Sequence, residues 1–110
     1  MLIFWDEPKR LANIVKHGFD FSDLDEAFFL AAVVIPVKDS CHMAVGHFYD
    51  GTIAVVFSHL ESEGLSVISM RRANRSERKL LIGAASQKYR NSYPHKVSPM
   101  RTGMPLTALP

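Results

Sequence analysis

Lys9, Asn13, Lys16 and His17 fall at positions i, i+4, i+7 and i+8 of one stretch of chain. At 100° per residue they gather on one side of a helix, opposite an apolar stripe of Leu11, Ile14 and Val15. Two ammonium groups and an imidazole side by side read in two ways: a solvated polar face, or a patch that faces phosphate and carries one group suited to proton transfer near neutral pH. A second block of cations lies between residues 71 and 90, where Arg71, Arg72, Arg75, Arg78, Lys79, Lys88 and Arg90 stand against one acid, Glu77. Arg71 and Arg72 are neighbours on an extended segment, so their side chains are expected on opposite faces of a sheet, and only one of them can join a given site. A guanidinium there can hold a phosphate bidentately or stabilise charge developing on it. Arg75, Arg78 and Lys79 project from the following helix, away from its expected buried stripe of Leu80, Leu81, Ala84 and Ala85.

The remaining candidates carry less. His42 and His47 are five positions apart and face opposite sides of a regular strand, so they cannot share a metal ion. His59 stands alone beside a loop at Glu61. Cys41 and His42 are a thiol and an imidazole in sequence, but adjacent residues on a strand diverge. No glycine-rich phosphate loop, paired-cysteine zinc motif or HExxH occurs, and no metal or cofactor is expected. Trp5, the one indole, is either a core residue or a platform on which a base stacks.

These residues need elements to hold them. Leu2 to Trp5 reads as a short strand. Asp6 is placed to cap a helix with Pro8 in its first turn, and Gly18 to end it. Ser22, Asp25 and Glu26 resemble the start of a second helix running to about Phe29. The period then changes: Val33 to Val37, Met43 to Phe48, Thr52 to Ser58 and Leu65 to Met70 read as strands, with Asp50-Gly51 as a hairpin turn and a loop over 61–64. Asn74 and Glu77 have the spacing of a capping box for a last helix reaching about Tyr89. The reading is an α+β fold, with helices packed on one face of a small antiparallel sheet and the other face free to carry a site. It divides the chain into a domain over 1–90 and an irregular tail over 91–110, which holds four of the six prolines.

Composition sets the outer bounds. The 110 residues, 47% hydrophobic and 22% charged, suit one soluble domain with one core. The longest apolar run, from Ala27 to Val37 and interrupted by Pro36, is about half of the roughly 20 residues needed to span a bilayer. The early acids Asp6 and Glu7 do not fit a signal peptide, and a single cysteine fits a reducing compartment, so a cytoplasmic location is expected. The net charge of +2 is unevenly spread, with six acids against three bases in residues 1 to 30 and the basic block after residue 70. Such a block points to a polyanion, an acidic protein or a solvated helix face.

Two ordered segments resemble a known family. Phe4-Trp5-Asp6, Lys9, Asn13, Lys16-His17-Gly18 and Phe21 resemble the N-terminal signature of the BrnT toxins. Val67-Ile68-Ser69-Met70-Arg71-Arg72-Ala73, followed by Glu77-Arg78, is similar to that family's second signature. The family usually carries an arginine in the strand that here begins His42-Met43-Ala44, and commonly a basic residue where this chain has Ser66. The resemblance implies a RelE-like fold, a metal-independent endoribonuclease and neutralisation by a BrnA-type antitoxin with a ribbon-helix-helix part. It also implies that operator DNA is met only through that antitoxin. It makes His17, Lys16, Arg71 and Arg72 the catalytic candidates, with Lys9, Trp5, Arg75, Arg78 and Lys79 as RNA-binding candidates. The competing readings are a BrnT-like regulatory partner without effective nuclease activity, and a general RNA-binding domain that uses the basic last helix.

Overall fold

The computed structural model describes residues 1–61 and 64–91. The expected tail after Asn91 and part of the expected loop at 61–64 lie outside them. Four side chains of the Asp/Asn type set where helices begin. Asp6 accepts a hydrogen bond from the Lys9 N–H at 3.3 Å and starts α1 (Glu7–His17). Asp20 accepts from Ser22 N–H and starts a single 3-10 turn over Phe21–Asp23. Asp25 accepts from Phe28 N–H and starts α2 (Glu26–Ala31). Asn74 starts α3 (Arg75–Asn91). Each cap satisfies backbone donors that the first helical turn leaves free. The expected second helix is therefore two elements, because Asp20 and Asp25 both act as caps. α1 ends where expected: Gly18 adopts a left-handed conformation (φ 80°) and its N–H donates to the Ile14 carbonyl at 2.8 Å.

Five strands form one sheet in the order β1-β5-β4-β3-β2, with β1 (Leu2–Trp5), β2 (Val33–Pro36), β3 (Cys41–Phe48), β4 (Gly51–His59) and β5 (Gly64–Arg72). The sheet is mixed rather than antiparallel. β2 to β5 form an antiparallel meander, but β1 pairs parallel to β5, from Leu2 beside Gly64 to Trp5 beside Val67. The β3–β4 hairpin pairs Phe48 with Gly51, which centres the turn on Tyr49-Asp50 rather than on Asp50-Gly51. Tyr49 takes the positive φ (55°), whereas a Cβ on Gly51 would meet only the far end of the exposed Arg72 side chain, 2.7 Å from Nη1, which can move aside.

The helices do not share one face, contrary to the expectation. Phe21, Phe28 and Phe29 pack with Ala44, Ile53, Val55, Phe57, Val67 and Met70 on one side of the sheet. Leu81 of α3 packs on the other side with Met43, Val45 and Ala54. Alternation along β3 explains the split, since Ala44 and Val45 are adjacent, both fully buried, and face opposite ways. Both faces of the central strands need cover, and α3 supplies it on the second. At roughly 1.5–3 kcal/mol for each large apolar side chain buried, the aromatic cluster outweighs the smaller layer under α3. Leu80, expected in the buried stripe, is 38% exposed. The Ala84 and Ala85 side chains lie outside the described residues.

Candidate active site

β1 stops beside Val67, but β5 continues to Arg72, so its edge beyond that point has no strand partner on this side. α1 takes the vacant place. Asn13, only 6% exposed, acts as a substitute peptide group: its Oδ1 accepts from Met70 N–H at 3.1 Å and its Nδ2 donates to the Met70 carbonyl at 2.8 Å. Nδ2 also donates to the Phe19 carbonyl at 2.9 Å, tying down the chain just past the helix. Sequence reasoning placed Asn13 on a polar face; the structure makes that face the inward one. Of the expected buried stripe, Ile14 is half-buried, but Leu11 and Val15 are 50% and 88% exposed.

Immediately before Met70 the strand carries a bulge. Val56 pairs with Ser69 and Phe57 with Val67, leaving Ile68 without a partner. Ile68 and Ser69, with Lys9, Ala12, Asn13, Lys16 and His17, line a shallow, open cleft of about 260 Å³. Three of the predicted residues, Lys9, Lys16 and His17, thus converge. Lys16 and His17 lie in the last helical turn, where cationic side chains complement the helix dipole. Two ammonium groups beside an imidazole are an arrangement that can attract an anion and exchange a proton with what it binds.

The arginines behave as their adjacency predicts. Arg71 pairs with Ala54 and Arg72 with Ile53, so they lie on opposite faces. Arg71 shares the face of Ser69, but its guanidinium forks onto Glu77, with both bonds at 2.8 Å. Arg72 is exposed, with its guanidinium carbon 5.7 Å from the centre of the Phe19 ring. Neither lines the cleft. Trp5 is half-buried against the larger core, and its indole N–H donates to Glu7 at 3.1 Å. Arg75, Arg78 and Lys79 are exposed on the first turns of α3, where Arg78 also donates to the Ala73 carbonyl.

Glu77 does two jobs. It closes the expected capping box, accepting from Asn74 N–H while Asn74 Oδ1 accepts from Glu77 N–H, both at 2.9 Å. It also holds Arg71, and that hydrogen bond keeps its carboxyl below the ordinary value near 4.5. A carboxyl depressed in the folded state stabilises the fold fully above its unfolded value and loses that contribution as pH falls through the folded one. Stability is therefore expected to decline below about pH 4.5. Arg71→Ala strands a buried carboxylate and should cost about 2 kcal/mol at neutral pH, or on the order of 10 °C in Tm. Thermal melts of wild type, Arg71→Ala and Arg72→Ala between pH 3 and 7 check this, with Arg72→Ala expected to follow wild type.

One cluster was not anticipated. The register that sets His42 opposite Phe57 also brings it to His59, with ring centres 4.7 Å apart. His42 Nδ1 is buried with no hydrogen-bond partner among the described residues. Burial, and secondarily His42, pushes the His59 imidazole below its ordinary value. His47 and Cys41 lie on the opposite face, as the odd spacing required. Among the described residues no three His, Cys, Asp or Glu side chains gather in a group that could hold a metal ion. No helix among them is long and apolar enough to cross a membrane.

Comparison with known proteins bears on what this cleft serves. The family profile described as the ribonuclease toxin BrnT of type II toxin–antitoxin systems matches residues 5–77, which include the whole cleft and Glu77. The 1.1 Å crystal structure of the Brucella abortus ribonuclease toxin BrnT is similar at 55% identity and a TM-score of 0.65. That similarity covers 68% of this chain and 99% of the Brucella chain. Comparison with curated proteins finds no match. The chain belongs to the BrnT family of ribonuclease toxins of type II toxin–antitoxin systems.

Proposed function

We propose that this chain is a RelE-like, metal-independent endoribonuclease that acts in the cytoplasm and is held inactive by a BrnA-type ribbon-helix-helix antitoxin, through which alone it meets operator DNA. The observation that carries this reading is the cleft that sets Lys9, Lys16 and His17 around Ser69 at the free edge of β5. RNA contains its own nucleophile. A ribose 2′-hydroxyl attacks the adjacent phosphorus, a base removes its proton, and the bond to the 5′-oxygen breaks. That oxygen takes a proton from water, leaving a 2′,3′-cyclic phosphate on one fragment and a 5′-hydroxyl on the other. In this reading His17 accepts the proton, and Lys9 and Lys16 hold the phosphate and stabilise its developing charge. Arg72, beside the chain that leaves α1, extends the cationic surface; Arg75, Arg78 and Lys79 bind the RNA backbone nearby, and Trp5 supports α1 rather than a base.

The purified protein is expected to cleave single-stranded RNA in excess EDTA, and its induction to arrest growth of a bacterial host. Loss of cleavage on chelation, restored by a divalent ion, would sink the mechanism. One observation favours a second reading, that of a regulatory partner with weak catalysis: Arg71, the guanidinium on the face of Ser69, is committed to Glu77. Harmless expression at high yield together with tight antitoxin binding would favour it.

A further inference from the structure

The one buried residue of α1 is Asn13, whose amide bonds to β5, and Ile14 is half-buried beside it; Pro8, Leu11, Ala12 and Val15 are all exposed. These four sit at i, i+3, i+4 and i+7, the spacing of a helix seam that packs against another apolar surface. Isolated exposed apolar residues need no explanation, but four on one stripe, with Val15 at 88% exposure, do.

We propose that this stripe is the docking surface for an amphipathic segment of the antitoxin, with acidic residues along the edge nearest the cleft. The inference rests on the reading of the chain as a toxin neutralised by a protein partner and deepens it by naming the contact surface. Charge selects the occupant. On the cleft side the stripe is bordered by Lys9 and Lys16, whereas the acid at its other border, Glu7, is already paired with Arg10 at 2.7 Å. A second copy of α1 fits poorly, because a two-fold antiparallel pairing brings like edges together and sets the lysines against their own copies. Ala12 belongs both to the stripe and to the cleft wall, so a segment seated on the stripe also lies along the cleft mouth. Docking and inhibition then follow from one contact, with apolar anchors supplying most of the affinity and the lysines its specificity.

The test uses the full chain and the purified protein encoded by the adjacent reading frame. The double variant Leu11→Gln with Val15→Gln should bind that protein about 100-fold more weakly than wild type. It should cleave RNA within threefold of wild type, since neither residue lines the cleft. In cells it should arrest growth that co-expression of the partner no longer relieves. If circular dichroism shows the double variant unfolded, Val15→Gln alone is expected to weaken binding about tenfold. Binding within threefold of wild type by a folded variant overturns the proposal, as does no binding to wild type. A wild-type dimer in light scattering that the variant converts to monomers overturns it in favour of a second copy. If the variant loses binding while wild type fails to cleave RNA, the docking surface stands and the nuclease reading falls.

Discussion

His17→Asn is expected to slow RNA cleavage at neutral pH by about a hundredfold to ten-thousandfold, the usual contribution of a positioned general base. The prediction rests on placement. His17 is the last residue of α1, half-buried, with Gly18 turning the chain away and Lys16 beside it in the cleft wall. Asparagine retains a polar side chain and suits a helix end, so the fold should persist while proton transfer is lost. Steady-state cleavage of a short RNA, with circular dichroism on the same sample, separates the two effects. A fall in kcat with little change in KM is the expected pattern, because the base acts in the transition state rather than in binding. A folded variant at full rate would remove His17 from the mechanism.

The largest effect on stability is expected at Asn13. Replacement by alanine leaves the Met70 N–H and carbonyl and the Phe19 carbonyl without their partner, a loss of about 2–4 kcal/mol. Asn13→Asp is the more discriminating change. An ionised carboxylate still accepts from the Met70 N–H, but it turns its other oxygen on two carbonyls. Burial and those carbonyls raise its folded pKa, so the variant is weakest at neutral pH and regains stability as pH falls through that raised value. The slope is opposite to the one Glu77 gives wild type, and melts across pH 4 to 8 distinguish them. Amide exchange at Met70 should quicken in both variants at neutral pH. If it does not, the edge of β5 is held by something other than this side chain.

Local signals in the sequence survived because they act locally. Asp6, Gly18 and the Asn74–Glu77 box satisfy backbone groups within one turn, and the box persists even though Glu77 also holds Arg71. The opposed directions of Arg71 and Arg72 follow from strand alternation alone. The orientation of α1 was not legible, because an apolar stripe of Leu11, Ile14 and Val15 outweighs one asparagine in any periodicity argument. What decides the matter is non-local. A strand edge left open by the shortness of β1 costs more, if unsatisfied, than two exposed aliphatic side chains, and Asn13 supplies both a donor and an acceptor for it.

The same distinction explains the other differences. The parallel pairing of β1 depends on which edge of the meander is free, and no residue within Leu2–Trp5 encodes that. The Asp-Gly pair points to the right hairpin, but the positive φ falls on Tyr49 and the turn sits one residue earlier than that pair suggests. His42 and His59 met through cross-strand register, which a list of intervals along the chain does not contain. Of the candidate site, the three residues on α1 were readable as a group, while Ser69 and the bulge at Ile68 were not.

The chemical ends of RNA cut in excess EDTA distinguish attack by the ribose from attack by water. Attack by the 2′-hydroxyl within a cleft of lysines and one imidazole leaves a 2′,3′-cyclic phosphate on one fragment and a 5′-hydroxyl on the other. Mass spectrometry of a single cleaved oligonucleotide is expected to show that pair. Fragments ending in a 3′-hydroxyl and a 5′-phosphate would mean that water, not the ribose, attacks the phosphorus, and would contradict the account.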